Sequence, residues 1–496
     1  MTATEPLFRK VLIANRGEIA VRVMRTLREM GIASLAIHHR VEANAAHVRL
    51  ADEAREVHGE TPVAAHLDAE QIIAIAKAFG ADAVHPGYGF LSENAAFARK
   101  VAAAGLAFIG PDAETIDLMG DKISARNFAA AHRVPVAPSV QANEDIDAFA
   151  VEAARIGFPL LIKAAAGGGG KGMSIVHDTA DLRERARIAS SEAQRYFGDG
   201  RIYAETYVER PRHIEVQVLG DGAGGAIHLH ERECSVQRRF QKIIEDAPAA
   251  PLPDGLRQEI CAAAVRLAAA SRYRNAGTVE FILGADGRFF FLEMNTRLQV
   301  EHPVTEMICG VDLVRAQIEI AAGRPLPFAQ ADVPERGHAI ECRICAEDPD
   351  AGFMPATGAI RLLRAPAGPH IRFENALDEG QKVTADFDPM LAKLVVWGEN
   401  RAQATDRMIA ALGELTVLGL RTNIDYLRRA LDTDAFRRGA IHTGFVSEQA
   451  DALSATPPDQ AARDRALIVA ALGQRAFCEA IDNVEEPYAS MGGWRN

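Results

Sequence analysis

The sequence predicts an α/β protein that begins with a doubly wound parallel-sheet domain. Two features carry this prediction. Apolar strand patterns and amphipathic helix patterns alternate over roughly the first 118 residues, and hairpin-like strand pairs dominate the part that follows. A chain of 496 residues with 48% hydrophobic and 25% charged residues has an ordinary globular composition. At that length roughly three or four domains are expected.

The first domain is expected over residues 1–118. A short apolar run at 10–15 precedes a helix pattern that ends at Gly31, a residue type common just after helix ends. Further strand patterns stand at 34–39, 82–87 and 107–111, with helix patterns at 69–80 and 93–105. Strand–helix–strand succession indicates parallel strands with helices on both faces. A dinucleotide site is not predicted, because GxGxxG does not follow the first strand.

The rest of the chain divides into three blocks. Residues 119–335 carry hairpin signals and most of the polar clusters, and residues 336–449 form a further block that ends in helix-rich sequence. Residues 450–496 begin with an Ala-, Asp- and Pro-rich stretch, and we expect a linker or tail there.

Charge and hydropathy exclude several classes of partner. The net charge of −12 disfavours nucleic acid and anionic membrane surfaces, so an anionic ligand needs a local basic site. The N-terminus lacks the apolar core of a signal peptide, and no apolar run of about 18 residues occurs. The sequence therefore predicts a cytoplasmic protein with neither nucleic acid nor membrane as partner.

A glycine-rich segment is the first candidate site. An apolar strand ends at Lys163, four glycines follow at 167–170, and a second short strand begins after Lys171-Gly172. Glycines let backbone N–H groups approach phosphate oxygens without interference from Cβ atoms. The phosphate-cradling pattern GxxxxGK[ST] is absent, because Gly172 follows the lysine. The segment is interpreted as a flap that covers phosphates; a flexible linker is the alternative.

A predicted hairpin over residues 276–297 is the second candidate site. If Ala285 and Asp286 form a two-residue loop, Glu280 lies opposite Phe291. The side chains of Glu280, Glu293 and Asn295 then share one face of the hairpin. Carboxylate and amide oxygens are the ligands that Mg²⁺ prefers beside nucleotide phosphates. The alternative is an ordinary hairpin with one solvated face.

Charged residues flank this hairpin in the sequence. Only nine of the 55 lysine and arginine residues are lysine, so a lysine among them is informative. An arginine, a carboxylate and a histidine close together can bind an oxyanion and move a proton. The downstream group is Arg297, Gln299, Glu301 and His302, and the upstream group is Arg238, Arg239, Lys242 and Glu245.

These motifs together resemble the biotin carboxylase family of ATP-grasp enzymes, from about residue 8 to residue 448. The matching motifs are IANRGEIA, HPGYGFLSEN, FIGP, MGDK, KAAAGGGGKGM, PRHIEVQ, ERECSVQRR, EMNTRLQVEHPVTE, GHAIECRI and TNIDYL. The resemblance implies an N-terminal α/β domain (1–118), a central ATP-grasp domain (119–335) with a mobile lid at about 137–208, and a C-terminal α+β domain (336–449).

The resemblance also implies the reaction. An ATP-dependent ligase of this family carboxylates biotin on a carrier protein, with bicarbonate and Mg²⁺ or Mn²⁺, through carboxyphosphate. The chain would be the biotin carboxylase component of an acyl-CoA carboxylase. Its implied partners are a carboxyltransferase subunit, a biotin carboxyl carrier domain or protein, and further copies of itself, as a homodimer or within a larger complex.

Residue roles follow from the resemblance position by position. The implied ATP contacts are Lys122, Lys163, Gly168, Gly169, Gly170, Glu205, Val208 and His213. The implied metal ligands are Glu280, Glu293 and Asn295, and the implied bicarbonate contacts are Lys242, Arg297, Gln299 and Val300. Glu301 matches the base that deprotonates bicarbonate, and Arg343 matches the residue that binds biotin and stabilises its enolate. Arg297, Glu301, Lys242 and Arg343 are the implied catalytic set.

Two departures from the family pattern stand out. Phe240 occupies a position where the family usually has histidine or another polar residue, so a polar contact with the nucleotide is lost there. The biotin-accepting Met-Lys-Met pattern is absent, and no lysine follows Lys393. Two alternatives stay open: another ATP-grasp ligase, of the carboxylate–amine or carbamoyl-phosphate type, and an inactive nucleotide-binding subunit.

Overall fold

The computed structural model describes residues 7–142, 145–165, 173–455 and 459–482. The chain divides into two compact units, Met1–Leu453 and Ser454–Asn496. The candidate residues Gly168, Gly169 and Gly170 lie outside the described residues.

The first part of the chain forms a five-stranded parallel sheet with helices between its strands. Its strands are β1 (Lys10–Ile13), β2 (Ala33–His38), β3 (Glu53–Glu56), β4 (Ala83–His85) and β5 (Ala107–Phe108). Its helices are α1 (Gly17–Glu29), α2 (Ala46–Leu50), α3 (Pro62–His66), α4 (Ala69–Ala78), α5 (Ala95–Ala103), α6 (Ala113–Gly120) and α7 (Lys122–Ala131). The order β3-β2-β1-β4-β5 is doubly wound, as predicted. Gly31 follows α1 with a φ of 70°, which explains the glycine there.

A small antiparallel sheet with its own core follows. Its elements are β6 (Ser139–Gln141), α8 (Ile146–Ala154), β7 (Leu160–Ala164), β8 (Ser174–Val176), α9 (Thr179–Phe197) and β9 (Ile202–Thr206). The strand order is β6-β9-β7-β8. Apolar residues of both helices and of β7, β8 and β9 form one separate buried cluster. We refer to this sheet as the lid sheet.

The central block supplies the long strands. Its elements are β10 (Arg212–Asp221), β11 (Ala226–Arg238), β12 (Gln241–Ala247), α10 (Asp254–Ala270), β13 (Arg274–Leu283), β14 (Phe289–Asn295), α11 (His302–Cys309), α12 (Leu313–Ala321) and β15 (His338–Cys345). Apolar residues alternate with polar ones along β10: Ile214, Val216 and Val218 pack into the core under α10. The polar residues between them face the other side of the sheet.

The last block of the chain adds further strands to the same sheet. It contains β16 (Glu347–Asp348), β17 (Met354–Pro355), β18 (Gly358–Ala359), β19 (Leu362–Arg364), β20 (Ile371–Asn375), β21 (Lys382–Val383), β22 (Met390–Gly398), α13 (Arg401–Glu414), β23 (Thr416–Leu418), α14 (Ile424–Asp432), α15 (Asp434–Arg437), α16 (Phe445–Glu448) and α17 (Ala450–Leu453). An eight-stranded antiparallel sheet results, with the order β14-β13-β10-β11-β12-β15-β22-β20. The expected boundary near residue 335 therefore separates strands of one continuous sheet.

The second unit contains one described helix, α18 (Gln460–Asp482), within the segment expected to be a linker or tail. Among the described residues, none of the helices is both long enough and apolar enough to span a bilayer.

The β13–β14 hairpin differs in register from the sequence-based expectation. A two-residue loop would place Glu280 opposite Phe291. Instead Phe281 lies opposite Phe291, and Glu280 lies opposite Glu293. The predicted cross-strand pairing is therefore wrong by two residues at Glu280.

Two local features cause this difference. The loop between the strands contains five residues, closed by a hydrogen bond of 2.8 Å from the N–H of Gly284 to the carbonyl of Arg288. A β-bulge then inserts Leu292 as an extra residue between the paired positions. Each feature shifts the pairing by one residue, so together they preserve parity. Glu280, Glu293 and Asn295 consequently share one face, although through a different register.

Candidate active site

The residues whose roles follow from the family resemblance, and which lie in the described part of the chain, all line one cavity of about 750 Å³. Its walls come from the lid sheet, from the eight-stranded sheet and from the segment between β14 and α11. The candidates that line it are Lys122, Lys163, Glu205, Val208, His213, Lys242, Glu280, Glu293, Asn295, Arg297, Gln299, Val300, Glu301 and Arg343. Residues up to 221 positions apart in the sequence are thus brought together.

The ammonium group of Lys242, on β12, lies among three carboxylates. Its Nζ atom is 2.9 Å from Oε1 of Glu280 and 2.6 Å from Oε1 of Glu301, and it also contacts Glu215. Burial alone would lower the pKa of Lys242, but these three carboxylates raise it well above its ordinary value. Lys242 therefore remains positively charged at the centre of the site.

Two of the carboxylates around Lys242, Glu280 and Glu301, are buried and ionised. Burial alone would raise the pKa of Glu301, but Lys242 and Arg343 bring it well below its ordinary value. Burial would likewise raise the pKa of Glu280, and Lys242 and His213 lower it instead. A buried carboxylate that stays ionised is a charged proton acceptor.

Glu280, Glu293 and Asn295 form a set of hard oxygen donors. The two glutamates lie directly opposite each other on adjacent strands. Burial raises the pKa of Glu293, and the charge of Glu280 raises it further. Two carboxylates in that relation repel each other, and a cation beside them removes the repulsion. The set of two carboxylates and one amide oxygen fits Mg²⁺ or Mn²⁺.

His213, on β10, is oriented by a side-chain amide. Its Nδ1 atom is 2.8 Å from Nε2 of Gln237, and the same Nε2 donates to the carbonyl of Cys234 at 2.8 Å. The amide nitrogen of Gln237 can only donate, so Nδ1 of His213 accepts. The proton of the neutral imidazole ring therefore lies on Nε2 of His213. That Nε2 is 2.8 Å from Oε2 of Glu280. His213 thus supports the charged form of Glu280.

Arg297, in the segment between β14 and α11, is held by three side chains. Its Nε atom is 2.9 Å from Oε2 of Glu93, Nη2 is 3.0 Å from Oδ1 of Asn295, and Nη1 is 2.9 Å from Oε1 of Gln299. Such a guanidinium is a fixed, permanently charged binding group for an oxyanion.

Arg343, on β15, lies between two carboxylates. Its Nε atom is 2.6 Å from Oε1 of Glu245, and its Nη2 atom is 3.1 Å from Oε2 of Glu301. Burial alone would lower the pKa of Arg343, but both carboxylates raise it. Burial raises the pKa of Glu245 to about 7, against the opposing effect of Arg343. Arg343 is therefore a cation at a defined position beside Glu301.

Two further lysines, Lys122 and Lys163, line the same cavity. Lys163, on β7, forms an ion pair with Glu205 on β9, and Nη1 of Arg126 is 3.4 Å from Oε2 of Glu205. Lys122 is the first residue of α7, where burial lowers its pKa. Val208, just after β9, adds an apolar surface. These residues offer both charge for phosphates and apolar surface for a base.

Comparison with known proteins shows which family has this arrangement. Family models match residues 7–116 (biotin carboxylase, N-terminal domain), 121–329 (carbamoyl-phosphate synthase L chain, ATP binding domain) and 341–448 (biotin carboxylase C-terminal domain). The biotin carboxylase of a Nostoc species is 47% identical over 442 residues, which cover 89% of this chain and 99% of that protein.

The chain belongs to the biotin carboxylase family.

Relatives in larger enzymes are equally similar. A pyruvate carboxylase subunit of Methanothermobacter thermautotrophicus is 46% identical over 443 residues, which cover 89% of this chain and 90% of that protein. The α subunit of the rat mitochondrial methylcrotonoyl-CoA carboxylase is 47% identical over 441 residues, which cover 88% of this chain and 62% of that protein.

Solved structures agree with this assignment. The biotin carboxylase domain dimer of Hydrogenobacter thermophilus 2-oxoglutarate carboxylase, solved with MgADP, ADP and bicarbonate, superimposes with a TM-score of 0.87 at 44% identity and covers 90% of this chain and 99% of that one. A Campylobacter jejuni biotin carboxylase gives a TM-score of 0.86 at 41% identity, covering 89% of this chain and 99% of that one. The predictions of the family, the fold and an ATP-binding ligase are confirmed.

Some neighbours of the site were not predicted. Glu215 on β10 contacts Lys242, and it also accepts a hydrogen bond of 2.5 Å from Nε of the fully buried Arg232. Glu93, which holds Arg297, comes from the loop before α5. The alternation of Glu215 and Gln217 with apolar residues marks a polar strand face, but alternation alone does not reveal what that face meets.

The turn between β11 and β12 separates residues that the sequence grouped together. Arg239 is exposed in this turn and does not line the cavity, unlike Lys242. Nη2 of Arg238 is 2.6 Å from Oε1 of Glu347. Phe240 lines the cavity, and 60% of its surface is exposed. The predicted basic cluster therefore splits into residues inside and outside the cavity.

Proposed function

We propose that the chain is an active biotin carboxylase that uses ATP and bicarbonate to carboxylate biotin on a carrier domain or protein, through carboxyphosphate. One observation carries this proposal: the cations of Lys242 and Arg343 contact the ionised Glu301, and Arg297 lines the same cavity. The hard oxygen set of Glu280, Glu293 and Asn295 lines the same cavity.

The proposed partners are those of an acyl-CoA carboxylase. The α subunit of the Dictyostelium discoideum methylcrotonoyl-CoA carboxylase matches over 492 residues, 98% of this chain and 70% of that protein, at 43% identity. That match includes the region of α18, whereas the match to the Nostoc biotin carboxylase covers 89% of the chain. We therefore propose a carboxyltransferase subunit, a biotin carboxyl carrier and a second copy of this chain as partners.

At the nucleotide end, Lys122, Lys163 and His213 are the proposed phosphate contacts. Glu205 and Val208 are the proposed contacts near the base, and Gly168, Gly169 and Gly170 belong to the proposed flap. A Mg²⁺ ion held by Glu280, Glu293 and Asn295 would neutralise phosphate charge during transfer. Lys163 is already paired with Glu205, so a phosphate must compete with that carboxylate for its ammonium group.

At the bicarbonate end, the fixed cations hold the anion and Glu301 takes its proton. Lys242 and Arg297 are the proposed charged contacts, with Gln299 and Val300 completing the pocket. Glu301 is ionised before the substrate arrives, because Lys242 and Arg343 keep its pKa low. Bicarbonate that has given its proton to Glu301 is a better nucleophile toward the γ-phosphate of ATP. The developing negative charge is stabilised by groups that are already in place.

At the biotin end, Arg343 is the proposed electrostatic stabiliser. Biotin's ureido nitrogen is a weak nucleophile until it loses a proton, and a cation beside the ureido oxygen favours that loss. The guanidinium of Arg343 stays charged throughout, and Glu245 and Glu301 fix its orientation. Carboxyphosphate is sensitive to water, so the lid sheet is proposed to close over the cavity during turnover.

The proposed function predicts ATP hydrolysis that requires bicarbonate and that free biotin stimulates. The measurement is ADP release in CO₂-free buffer with and without added bicarbonate, with and without biotin. Equal rates with and without bicarbonate would refute the proposal. Hydrolysis that instead requires another carboxylate or ammonia would indicate a different ATP-grasp ligase, and ADP binding without any hydrolysis would indicate an inactive subunit.

Phe240→His is expected to tighten nucleotide binding. Phe240 lines the cavity without a polar atom, and one hydrogen bond to a ligand contributes about 0.5 to 1.5 kcal/mol, a few-fold to tenfold in affinity. The measurements are the KM for ATP and the Kd for ADP, with the bicarbonate KM unchanged. Phe240→Leu, which adds no polar atom, is the matched control and should not tighten binding. Equal nucleotide affinity in the histidine variant and the wild type would contradict this prediction.

A further inference from the structure

Lys393 is a fully buried lysine next to the site that the proposed reaction does not use. It lies on β22 with 0% of its surface exposed, directly across from Arg343 on β15. Lysine side chains are almost never fully buried unless they are paired, because removing an ammonium group from water is costly. The contacts of the Lys393 ammonium group therefore indicate the role of this residue.

The ammonium group of Lys393 reaches the segment that carries the bicarbonate contacts. Its Nζ atom donates a hydrogen bond of 2.8 Å to the carbonyl oxygen of Val300. That carbonyl belongs to the peptide group between Val300 and Glu301, the proposed bicarbonate contact and the proposed base. α11 begins at the next residue, His302, so this peptide group lies where irregular backbone becomes helix.

Lys393 is also a counter-charge, which complicates any test of its role. Its Nζ atom is 3.3 Å from Oε1 of Glu18, and both side chains are buried. Burial raises the pKa of Glu18, and Lys393 acts to lower it. Glu341 on β15 and Glu374 on β20 are further buried carboxylates close to this ammonium group. Removing the lysine alone would leave the buried carboxylate of Glu18 without its ion-pair partner and reduce the stability of the fold.

We propose that Lys393 is a positioning residue for the bicarbonate site: its hydrogen bond to the Val300 carbonyl fixes the peptide that places Val300 and Glu301. The inference rests on the proposed function, because it assigns bicarbonate to this segment. A rigid β strand supplies the donor, so the position of the Val300–Glu301 peptide is set by the sheet and not by the loop itself. An error of about 1 Å in such a position can cost on the order of a hundredfold in rate.

The test separates positioning from charge balance with three variants. Lys393→Met keeps the length of the side chain but removes the donor and the charge. Glu18→Gln removes the neighbouring carboxylate alone. The double variant Lys393→Met with Glu18→Gln restores the local charge balance but not the hydrogen bond to Val300. For each protein we would measure the Tm, the KM for bicarbonate, kcat, and amide hydrogen exchange of the segment from Leu298 to Glu301.

We expect the double variant to regain most of the Tm lost in Lys393→Met. Its bicarbonate KM should nevertheless stay about tenfold or more above that of the wild type, with nearly unchanged KM for ATP. Exchange in the 298–301 segment should be faster, while β13 and β14 keep their protection. Glu18→Gln alone should keep the wild-type bicarbonate KM and the wild-type exchange of that segment.

A double variant with wild-type bicarbonate KM and wild-type exchange would overturn the inference, because Lys393 would then act only through charge balance. Hydrogen exchange does not depend on catalysis. If the wild type shows no bicarbonate-dependent turnover, the proposed function fails, and faster exchange of the segment would still establish that Lys393 positions it.

Discussion

Glu301→Gln is expected to reduce bicarbonate-dependent ATP hydrolysis by about a hundredfold or more, the effect typical of losing a general base. Glutamine has almost the same shape, but it is neutral and accepts no proton. Oε1 of Glu301 is 2.6 Å from Nζ of Lys242, and Oε2 is 3.1 Å from Nη2 of Arg343. The substitution therefore removes the proton acceptor while its two cationic neighbours remain in place.

The measurement is kcat for ADP release at saturating ATP and bicarbonate, together with the Kd for ADP. Nucleotide affinity should stay within about twofold of the wild type, since Glu301 contacts Lys242 and Arg343, which are proposed to bind bicarbonate and biotin. Glu114→Gln is the control: this side chain is 80% exposed and should show no change. A Glu301→Gln variant with more than about a tenth of the wild-type kcat would rule out Glu301 as the base.

Lys242→Met is expected both to abolish turnover and to destabilise the protein by about 3 to 5 kcal/mol at neutral pH, the usual cost of leaving a buried charge unpaired. Lys242 contacts Glu215, Glu280 and Glu301, whose side chains are at most 4% exposed. Without the ammonium group, these carboxylates must either stay charged with one cationic neighbour fewer or take up protons on folding. The measurement is the free energy of unfolding in urea.

The pKa values of the carboxylates determine how the stability difference between Lys242→Met and the wild type changes with pH. In the wild type the pKa values of Glu280 and Glu301 are lowered, so their contribution to stability is present above the unfolded value of about 4.3 and is lost as the pH falls below it. In Lys242→Met the largest opposing charge is lost, so we expect burial to raise these pKa values above about 4.3, and the penalty then grows as the pH rises above that value. The difference in stability between variant and wild type should therefore be smaller at about pH 5.5 than at about pH 7.5.

Lys100→Met is the matched control for the charge change. Lys100 forms an exposed ion pair with Glu70 at 2.6 Å, and exposed pairs contribute about 0 to 1 kcal/mol. Its loss should change stability little, with no comparable pH dependence. If Lys242→Met were as stable as Lys100→Met at pH 7.5, the prediction would be wrong, and the three carboxylates would have found another partner.

The sequence by itself determined the parallel N-terminal sheet and the family, and it singled out residues that the structure places around one cavity. Strand and helix periods are local properties, so the alternation over residues 10–111 was sufficient to predict β1, β2, β4 and β5 as parallel strands. The short edge strand β3, EARE, has no apolar run and was missed. The common face of Glu280, Glu293 and Asn295 also followed from alternation, since parity survives two compensating shifts.

Only the tertiary structure decided which groups share a cavity and what charge they carry. Glu93 holds Arg297 from 204 residues away, Glu245 holds Arg343 from 98 residues away, and Lys393 reaches Val300 across 93 residues. A strand pattern specifies which side a residue faces, but it does not specify which element covers that side. The pKa shifts of Lys242 and Glu301 depend on burial and on neighbours within a few ångströms, and both exist only once distant strands have packed together.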